Sequence, residues 1–86
     1  MAAFVYLLRC SDGTLYCGWS TDPDRRLRQH QAGRASRYTR TRLPVELVYT
    51  RELASRSEAM REEARIKRLS PADKRRLAGA ARVANV

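Results

Sequence analysis

Phe4-Val5-Tyr6-Leu7-Leu8 and Leu15-Tyr16-Cys17-Gly18-Trp19, joined through Ser11-Asp12-Gly13-Thr14, decide how the rest of this chain is read. Two short apolar and aromatic runs separated by turn-forming residues predict a β-hairpin within residues 1–20. Gly13 supplies the left-handed backbone conformation that such a turn requires. The register of the hairpin then sets its faces. A two-residue Asp12-Gly13 loop would put Tyr6 and Tyr16 on opposite sides of the sheet. A three-residue loop, Ser11-Asp12-Gly13, pairs Cys10 with Thr14, Tyr6 with Gly18 and Tyr16 with Leu8, so both tyrosines share a face. We adopt the second register. It gathers Phe4, Tyr6, Leu8, Tyr16 and Gly18 together, with a gap above Gly18 for an approaching group. Val5, Leu7, Leu15, Cys17 and Trp19 lie on the other face. Both faces are largely apolar, so both must be covered.

The covering elements come in order along the chain. Thr21 or Asp22 caps a helix over residues 23–31, Pro23 suits its first turn, and Ala32-Gly33 ends it. Arg26 and His30, four apart, share a face of that helix. Residues 33–43 read as a loop with one helical turn, in which Arg34, Arg37, Arg40 and Arg42 alternate with Ser36, Tyr38, Thr39 and Thr41. No acidic residue occurs between Arg25 and Pro44, and guanidinium and hydroxyl groups in such a stretch suit phosphate contacts, with Tyr38 free to stack or donate a hydrogen bond. Residues 44–50 form a third strand, with Val45, Leu47 and Tyr49 on one face and Val48 on the other; a lone hairpin would be marginal.

Residues 55–69 predict the clearest helix, opened by the capping pair Ser55 and Glu58. Ala59 and Ile66 mark its buried stripe. Glu63 projects about 40° from Ala59 on the helical wheel, inside that stripe, while Glu62 lies toward the other flank, where solvent or basic neighbours satisfy it. A carboxylate facing the sheet must be paired with arginine, hydrogen-bonded or bound to a metal. A last helix opens at Ser70-Pro71-Ala72-Asp73 and runs to about residue 81, with residues 82–86 expected to fray.

Eighty-six residues make one domain, residues 1–86, with a small core. Eighteen Lys and Arg against nine Asp and Glu give a net charge of +9, and all but Lys67 and Lys74 of the eighteen are arginine. A polyanion is the expected partner, and nucleic acid suits this chain better than a membrane, because no segment is both amphipathic and aromatic-anchored. No apolar run spans a bilayer and residues 1–9 lack a signal-peptide pattern, so a cytoplasmic location is expected. Cys10 and Cys17 read as ordinary thiols, and one histidine scarcely supports a zinc site.

Taken together, Val5-Tyr6-Leu7-Leu8-Arg9-Cys10, Asp12-Gly13-Thr14-Leu15-Tyr16-Cys17-Gly18, Thr21-Asp22 leading to Arg25-Arg26-Leu27 and His30, Gly33, Tyr38-Thr39-Arg40, Pro44-Val45, Leu47-Val48-Tyr49, Ser57-Glu58-Ala59, Glu63 and Ile66-Lys67 have a specific order and spacing. Over roughly residues 4–74 the chain resembles the GIY-YIG nuclease superfamily, and within it the small stand-alone bacterial members. Cys17 stands where the second signature has isoleucine. The resemblance implies an α/β (α+β) fold with a central three-stranded antiparallel sheet flanked by helices. It also implies a divalent ion, Mg²⁺ or Mn²⁺, held mainly by Glu63, with Tyr6, Tyr16, Arg26 and His30 around the scissile phosphate.

The chemistry suits those residues. Arg26 would brace the phosphate, and Tyr6 would accept the proton of the attacking water, as a phenolate favoured by cation proximity. Tyr16 would position water or phosphate, and His30 would shuttle a proton or hold Tyr16 or phosphate. Arg25, Arg34, Arg37, Tyr38, Arg40, Arg42 and Lys67 are the candidate nucleic-acid contacts. The expected function is a metal-dependent DNA endonuclease of low sequence specificity, selective for DNA structure if for anything, since no reader helix is evident; RNA stays open as a ligand. The alternatives are a nucleic-acid-binding module that cleaves poorly or not at all, and a protein-interaction domain with a basic surface.

Overall fold

A computed structural model describes residues 2–84. Its elements, in chain order, are β1 (Ala3–Arg9), β2 (Leu15–Ser20), α1 (Pro23–Gln31), α2 (Arg37–Arg40), β3 (Glu46–Leu53), α3 (Arg56–Lys67) and α4 (Pro71–Ala84). The three strands form one antiparallel sheet in the order β2-β1-β3, an α+β fold with helices around a three-stranded sheet. No described helix is long and apolar enough to cross a membrane.

The hairpin adopts the three-residue turn. Cys10 N–H donates to the Thr14 carbonyl at 2.8 Å, Gly13 N–H donates to the Cys10 carbonyl at 2.9 Å, and Gly13 has φ +85°. Tyr6 therefore pairs with Gly18, and Leu8 with Tyr16, which puts both tyrosines on one face. The Asp12 carboxylate closes the turn by accepting from the Thr14 amide at 3.1 Å and its hydroxyl at 2.6 Å.

The third strand departs from the reading of residues 44–50, running instead over Glu46–Leu53 with an irregularity against β1. Leu7 pairs with Tyr49 but Leu8 pairs with Leu47, so Val48 is an extra residue, a β-bulge. The bulge reverses the alternation expected downstream. Val45 and Leu47 pack with Tyr6, Leu8 and Cys10, whereas Tyr49 joins Val48 on the opposite face with Val5, Leu7, Cys17 and Ile66.

Different helices cover the two sheet faces. On the Tyr6 face, Leu27 of α1 and Leu43 complete the cluster, and the Gln31 side chain ties α1 to the start of β3 by accepting from Val45 N–H at 3.1 Å and donating to its carbonyl. α1 has the expected bounds, capped by Asp22 accepting from Arg25 N–H at 3.1 Å and ended through Gly33 at φ +75°. On the Val5 face, α3 and α4 contribute Ile66 and Ala78, while Ala59 is fully buried as well. α3 is somewhat shorter than residues 55–69. Its cap Ser55 accepts from Glu58 N–H, and the Glu58 carboxylate accepts from Ala54 N–H rather than from Ser55. α4 continues as helix through Ala84, three residues past the expected end. The fraying expected for residues 82–86 falls partly on residues 85 and 86, outside those described. Both cysteines are free and buried; burial pushes the Cys17 thiol up to about 12, which leaves it inert.

Candidate active site

β2 is an edge strand, and a pocket of about 140 Å³ opens along it. Tyr6 and Tyr16 reach it from one sheet face, Trp19 from the other, Arg26 and His30 from α1, and Glu63 from α3. Residues far apart in sequence are thus brought to one cavity, and the hairpin register is what lets both tyrosines enter it.

His30 is the structural centre. It is 1% exposed, with Nε2 lying 2.9 Å from the Tyr6 hydroxyl and Nδ1 lying 2.8 Å from Thr39 Oγ1. Tyr6 and Tyr16 both meet its ring edge-on, with centroids 5.9 and 5.2 Å away. Burial, then the charge of Arg26, holds the imidazole below its ordinary pKa, so it is neutral near pH 7. Arg26 is half-buried and donates to Gln29 Oε1 at 3.0 Å. Tyr6 is 3% exposed, and burial, reinforced by Tyr16, pushes its phenol far above the usual range although Arg26 pulls the other way. The expected phenolate is therefore disfavoured. Among the protein's own groups, desolvation of Tyr6 outweighs the charge of Arg26.

The gap expected above Gly18 is filled by Tyr6 itself. A Cβ at position 18 would lie 2.5 Å from the Tyr6 hydroxyl oxygen and 2.6 Å from Cζ. Glycine is required there so that the ring can cross the neighbouring strand and reach His30.

Glu63 borders the pocket with its side chain 22% exposed, and its one ion pair among the described residues is to Lys67 at 3.7 Å. No arginine among the described residues pairs with it. Glu62 is instead the more enclosed carboxylate, 11% exposed, accepting from Arg65 at 2.7 and 2.8 Å and from Arg51 at 2.9 Å. The Arg65 hydrogen bonds hold its carboxyl below the usual range. No group of three His, Cys, Asp or Glu side chains able to hold a metal occurs among the described residues. The donor set at the pocket is one carboxylate beside two tyrosines, which fits a hard divalent ion that takes most ligands from water and phosphate, as Mg²⁺ does.

The basic loop divides into two kinds of residue. Arg34, Arg37 and Arg40 lie on the outer side of the loop, and Arg25 lines a shallow cleft with Arg26, Ser20 and Gln29. Arg42 and Tyr38 are already engaged. Arg42 pairs with Asp12 at 3.0 Å, donates to the Tyr38 carbonyl at 2.9 Å and lies 3.9 Å above the Tyr38 ring. That ring stacks on Tyr16 with centroids 5.9 Å apart, and its hydroxyl donates to Thr14 at 2.7 Å. Thr39, expected among the phosphate-facing hydroxyls, is fully buried against His30. Gly18 and Thr39 belong to the site in roles other than those expected, Gly18 as the crossing point for the Tyr6 ring and Thr39 as the buried partner of His30. The capping pattern Ser36-x-x-Thr39, with Thr39 N–H donating to Ser36 Oγ at 3.1 Å, is the signal that places Thr39 inward.

The site thus brings together two tyrosines on paired strands of a three-stranded sheet, an arginine and histidine on the next helix and one carboxylate on a later helix. Residues 2–76 match the GIY-YIG catalytic domain, and the chain belongs to that family. It is similar along most of its length to proteins carried under the name UPF0213. One from Halobacterium salinarum is 53% identical over 73 residues, covering 85% of this chain and 95% of that one. Another, from Streptococcus agalactiae, is 54% identical over 65 residues, covering 76% and 74%. The solution NMR structure of the UPF0213 protein of Bacillus halodurans has a TM-score of 0.60 at 44% identity, covering 93% of this chain and 85% of that chain. A solution NMR structure of a protein from E. faecalis has a TM-score of 0.62 at 34% identity, covering 96% and 88%.

Proposed function

We propose that this protein is a divalent-metal-dependent endonuclease that hydrolyses DNA phosphodiester bonds with low intrinsic sequence specificity. The observation that carries this reading is the convergence of Tyr6, Tyr16, Arg26, His30 and Glu63 on one small cavity. The net charge of +9 and the outward-lying Arg34, Arg37 and Arg40 supply backbone attraction that does not depend on base identity.

Glu63 is the residue that would hold Mg²⁺ or Mn²⁺. When bound, the ion supplies Lewis-acid charge to a phosphoryl oxygen. Arg26 adds positive charge to the same pocket and braces the phosphate as negative charge builds. Tyr16 forms the wall that positions water or phosphate.

The hydrogen-bond chain supplies the base. With Nδ1 of His30 protonated, the Tyr6 hydroxyl donates to Nε2, Nδ1–H donates to Thr39 Oγ1, and the Thr39 hydroxyl donates to the Ser36 carbonyl 3.4 Å away. This tautomer leaves the oxygen of Tyr6 free to accept the proton of the attacking water while its own proton passes to Nε2. Proton transfer then needs no stable phenolate, consistent with the raised pKa of Tyr6 and the neutral His30.

The test is a panel of duplex, nicked, forked, junction and single-stranded DNA, with RNA counterparts, incubated with Mg²⁺ or Mn²⁺. Cleavage should stop with chelator. Glu63→Gln should abolish it while the fold and DNA binding persist. Binding without cleavage on every substrate, or cutting that is the same in Glu63→Gln, would replace the enzyme reading with a binding module.

A further inference from the structure

A second cleft, about 440 Å³ and larger than the catalytic pocket, lies between the β1–β2 turn and the start of α4. Gly13 and Leu15 form one side, Pro71, Lys74 and Arg75 the other, and Tyr38 closes the end. Its volume falls in the range of about 300–1,000 Å³ typical of pockets that enclose small ligands or single residues of a polymer. Three observations define what it would take.

The first is charge. Neither Lys74 nor Arg75 makes an ion pair among the described residues, while the adjacent Asp73 is paired with Arg76 at 2.8 Å. Asp12 also lines the cleft, but Arg42 at 3.0 Å and the Thr14 hydroxyl at 2.6 Å occupy its carboxylate. Asp12, Arg42, Lys74 and Arg75 together leave a surplus of two positive charges, an environment for an anion. The second is the floor. Leu15, Pro71 and the Tyr38 ring present apolar surface beside those charges, and nothing lies within 4 Å of where a side chain at Gly13 would project. An anion attached to a flat or apolar body fits better than a free ion.

The third is continuity. Tyr38 is the partition between the two cavities: it lines this cleft and stacks on Tyr16, which lines the catalytic pocket. The stacked rings of Tyr16 and Tyr38 thus connect the lining of one cavity to that of the other.

We propose that this cleft is a flanking-nucleotide subsite. It holds one nucleotide next to the scissile phosphate, with its phosphate on Lys74 and Arg75 and its sugar or base against Leu15, Pro71 and Tyr38. The subsite rests on the nuclease reading of the neighbouring pocket and adds Lys74 and Arg75 to the substrate-binding surface.

The experiment uses the full chain carrying Glu63→Gln, so that DNA stays intact, and a short dye-labelled oligothymidylate as probe. Neutralising Lys74 and Arg75 together to glutamine should weaken binding about tenfold and make the salt dependence shallower by about 0.7 in log–log slope, the value for one single-strand phosphate. Arg56→Gln with Arg61→Gln removes the same charge from the exposed side of α3 and should change affinity far less. In amide NMR titrations, Gly13, Leu15 and Lys74 should shift with the probe. Equal losses from the two charge pairs, or shifts confined to residues 25–42, would overturn the subsite while leaving the nuclease reading intact. No binding of any DNA would overturn both. Cleavage failing in the wild type while Gly13, Leu15 and Lys74 still respond would remove the nuclease reading and with it the subsite's place beside a scissile phosphate, leaving a nucleotide-binding cleft only.

Discussion

Gly18→Ala is the smallest change that tests the geometry of the site. The added Cβ would lie 2.5 Å from the Tyr6 oxygen and 2.6 Å from Cζ, where ordinary contact begins at 3.4 Å. The ring must therefore withdraw by about 0.9 Å, the difference between 3.4 and 2.5 Å. Tyr6 is 3% exposed and bonded to His30 at 2.9 Å, so a shift of that size either breaks the contact or compresses it. Overpacking of this kind costs about 1–3 kcal/mol, and a disturbed buried hydrogen bond adds roughly 1 kcal/mol or more. For a domain this size each kcal/mol lowers Tm by about 4–8 °C, so a loss of about 10 °C or more is expected. Cleavage should fall by about a hundredfold, since misplacing a reacting group by about 1 Å has that cost. Calorimetry and cleavage rates measure both. Tyr6→Phe keeps Cζ in place and should leave most of the Gly18→Ala stability penalty, whereas Tyr6→Leu removes the ring and should abolish it. A Gly18→Ala protein with unchanged Tm, or the same penalty in the Tyr6→Leu background, would refute the claim that the glycine exists to let the ring cross.

The buried pair of Thr39 and His30 makes Thr39→Val informative, because the shape is kept and only the hydroxyl is lost. It should cost about 1–3 kcal/mol and move the proton off Nδ1, which long-range proton–nitrogen NMR reads without ambiguity because this is the only histidine. Thr39→Ser should restore both stability and tautomer; a wild-type imidazole already protonated on Nε2 would contradict the proposed proton path. Acid should also destabilise the fold before the carboxylates titrate. His30 has a folded pKa below its unfolded value of 6.5, so the unfolded chain binds more protons below that pH, and stability present above about 6.5 is lost as pH falls through the folded pKa. Urea unfolding at stepped pH should show this loss, absent in His30→Gln; the contributions of Asp12 and Glu62, whose pKa values are depressed, are lost only at lower pH.

The hairpin was legible because two independent constraints agreed: a left-handed position at Gly13 and the need to put compatible residues on each face. α1 was legible to the residue because Asp22-Pro23 and Gly33 punctuate it. The bulge at Val48 was not, since Val48 and Tyr49 are both good strand residues and neither marks the loss of alternation. A strand reading from pattern alone puts Tyr49 on the wrong face for that reason. At the site, the participation of Tyr6, Tyr16, Arg26, His30 and Glu63 in one pocket was legible through spacing and family resemblance. What lay above Gly18 was not, because register fixes which residues are opposite but not where a long ring leans. The basic neighbours of Thr39 point to a phosphate contact. The burial of Thr39 is a tertiary fact, produced when α2 folds back onto α1.

Glu62 and Glu63 show how one helix gives two adjacent carboxylates different environments. Successive residues on a helix point about 100° apart, so the pair cannot share an environment. Glu62 is met by Arg65 one turn on and by Arg51 from β3, and its hydrogen-bonding capacity is largely taken up by those two guanidiniums. Both arginines are more than half exposed, so each pair is worth no more than about 1 kcal/mol, enough to orient the carboxylate and not enough to anchor the helix. Glu63 faces the edge of β2 with only the amine of Lys67 at 3.7 Å among the described residues, beyond hydrogen-bond distance. Its oxygens therefore retain most of their coordinating capacity beside Tyr6, Arg26 and His30. Had the arginines reached Glu63 instead, the pocket would hold a saturated ion pair with no ligand to offer a cation. The placement of Arg51 and Arg65 on the Glu62 side is thus part of the case for Glu63 as the metal-facing carboxylate, and it predicts that Glu62→Gln, which weakens both pairs, lowers stability by no more than about 2 kcal/mol while leaving cleavage intact. Urea unfolding and cleavage rates of Glu62→Gln check both halves, and a loss of cleavage matching that of Glu63→Gln would refute the division of roles.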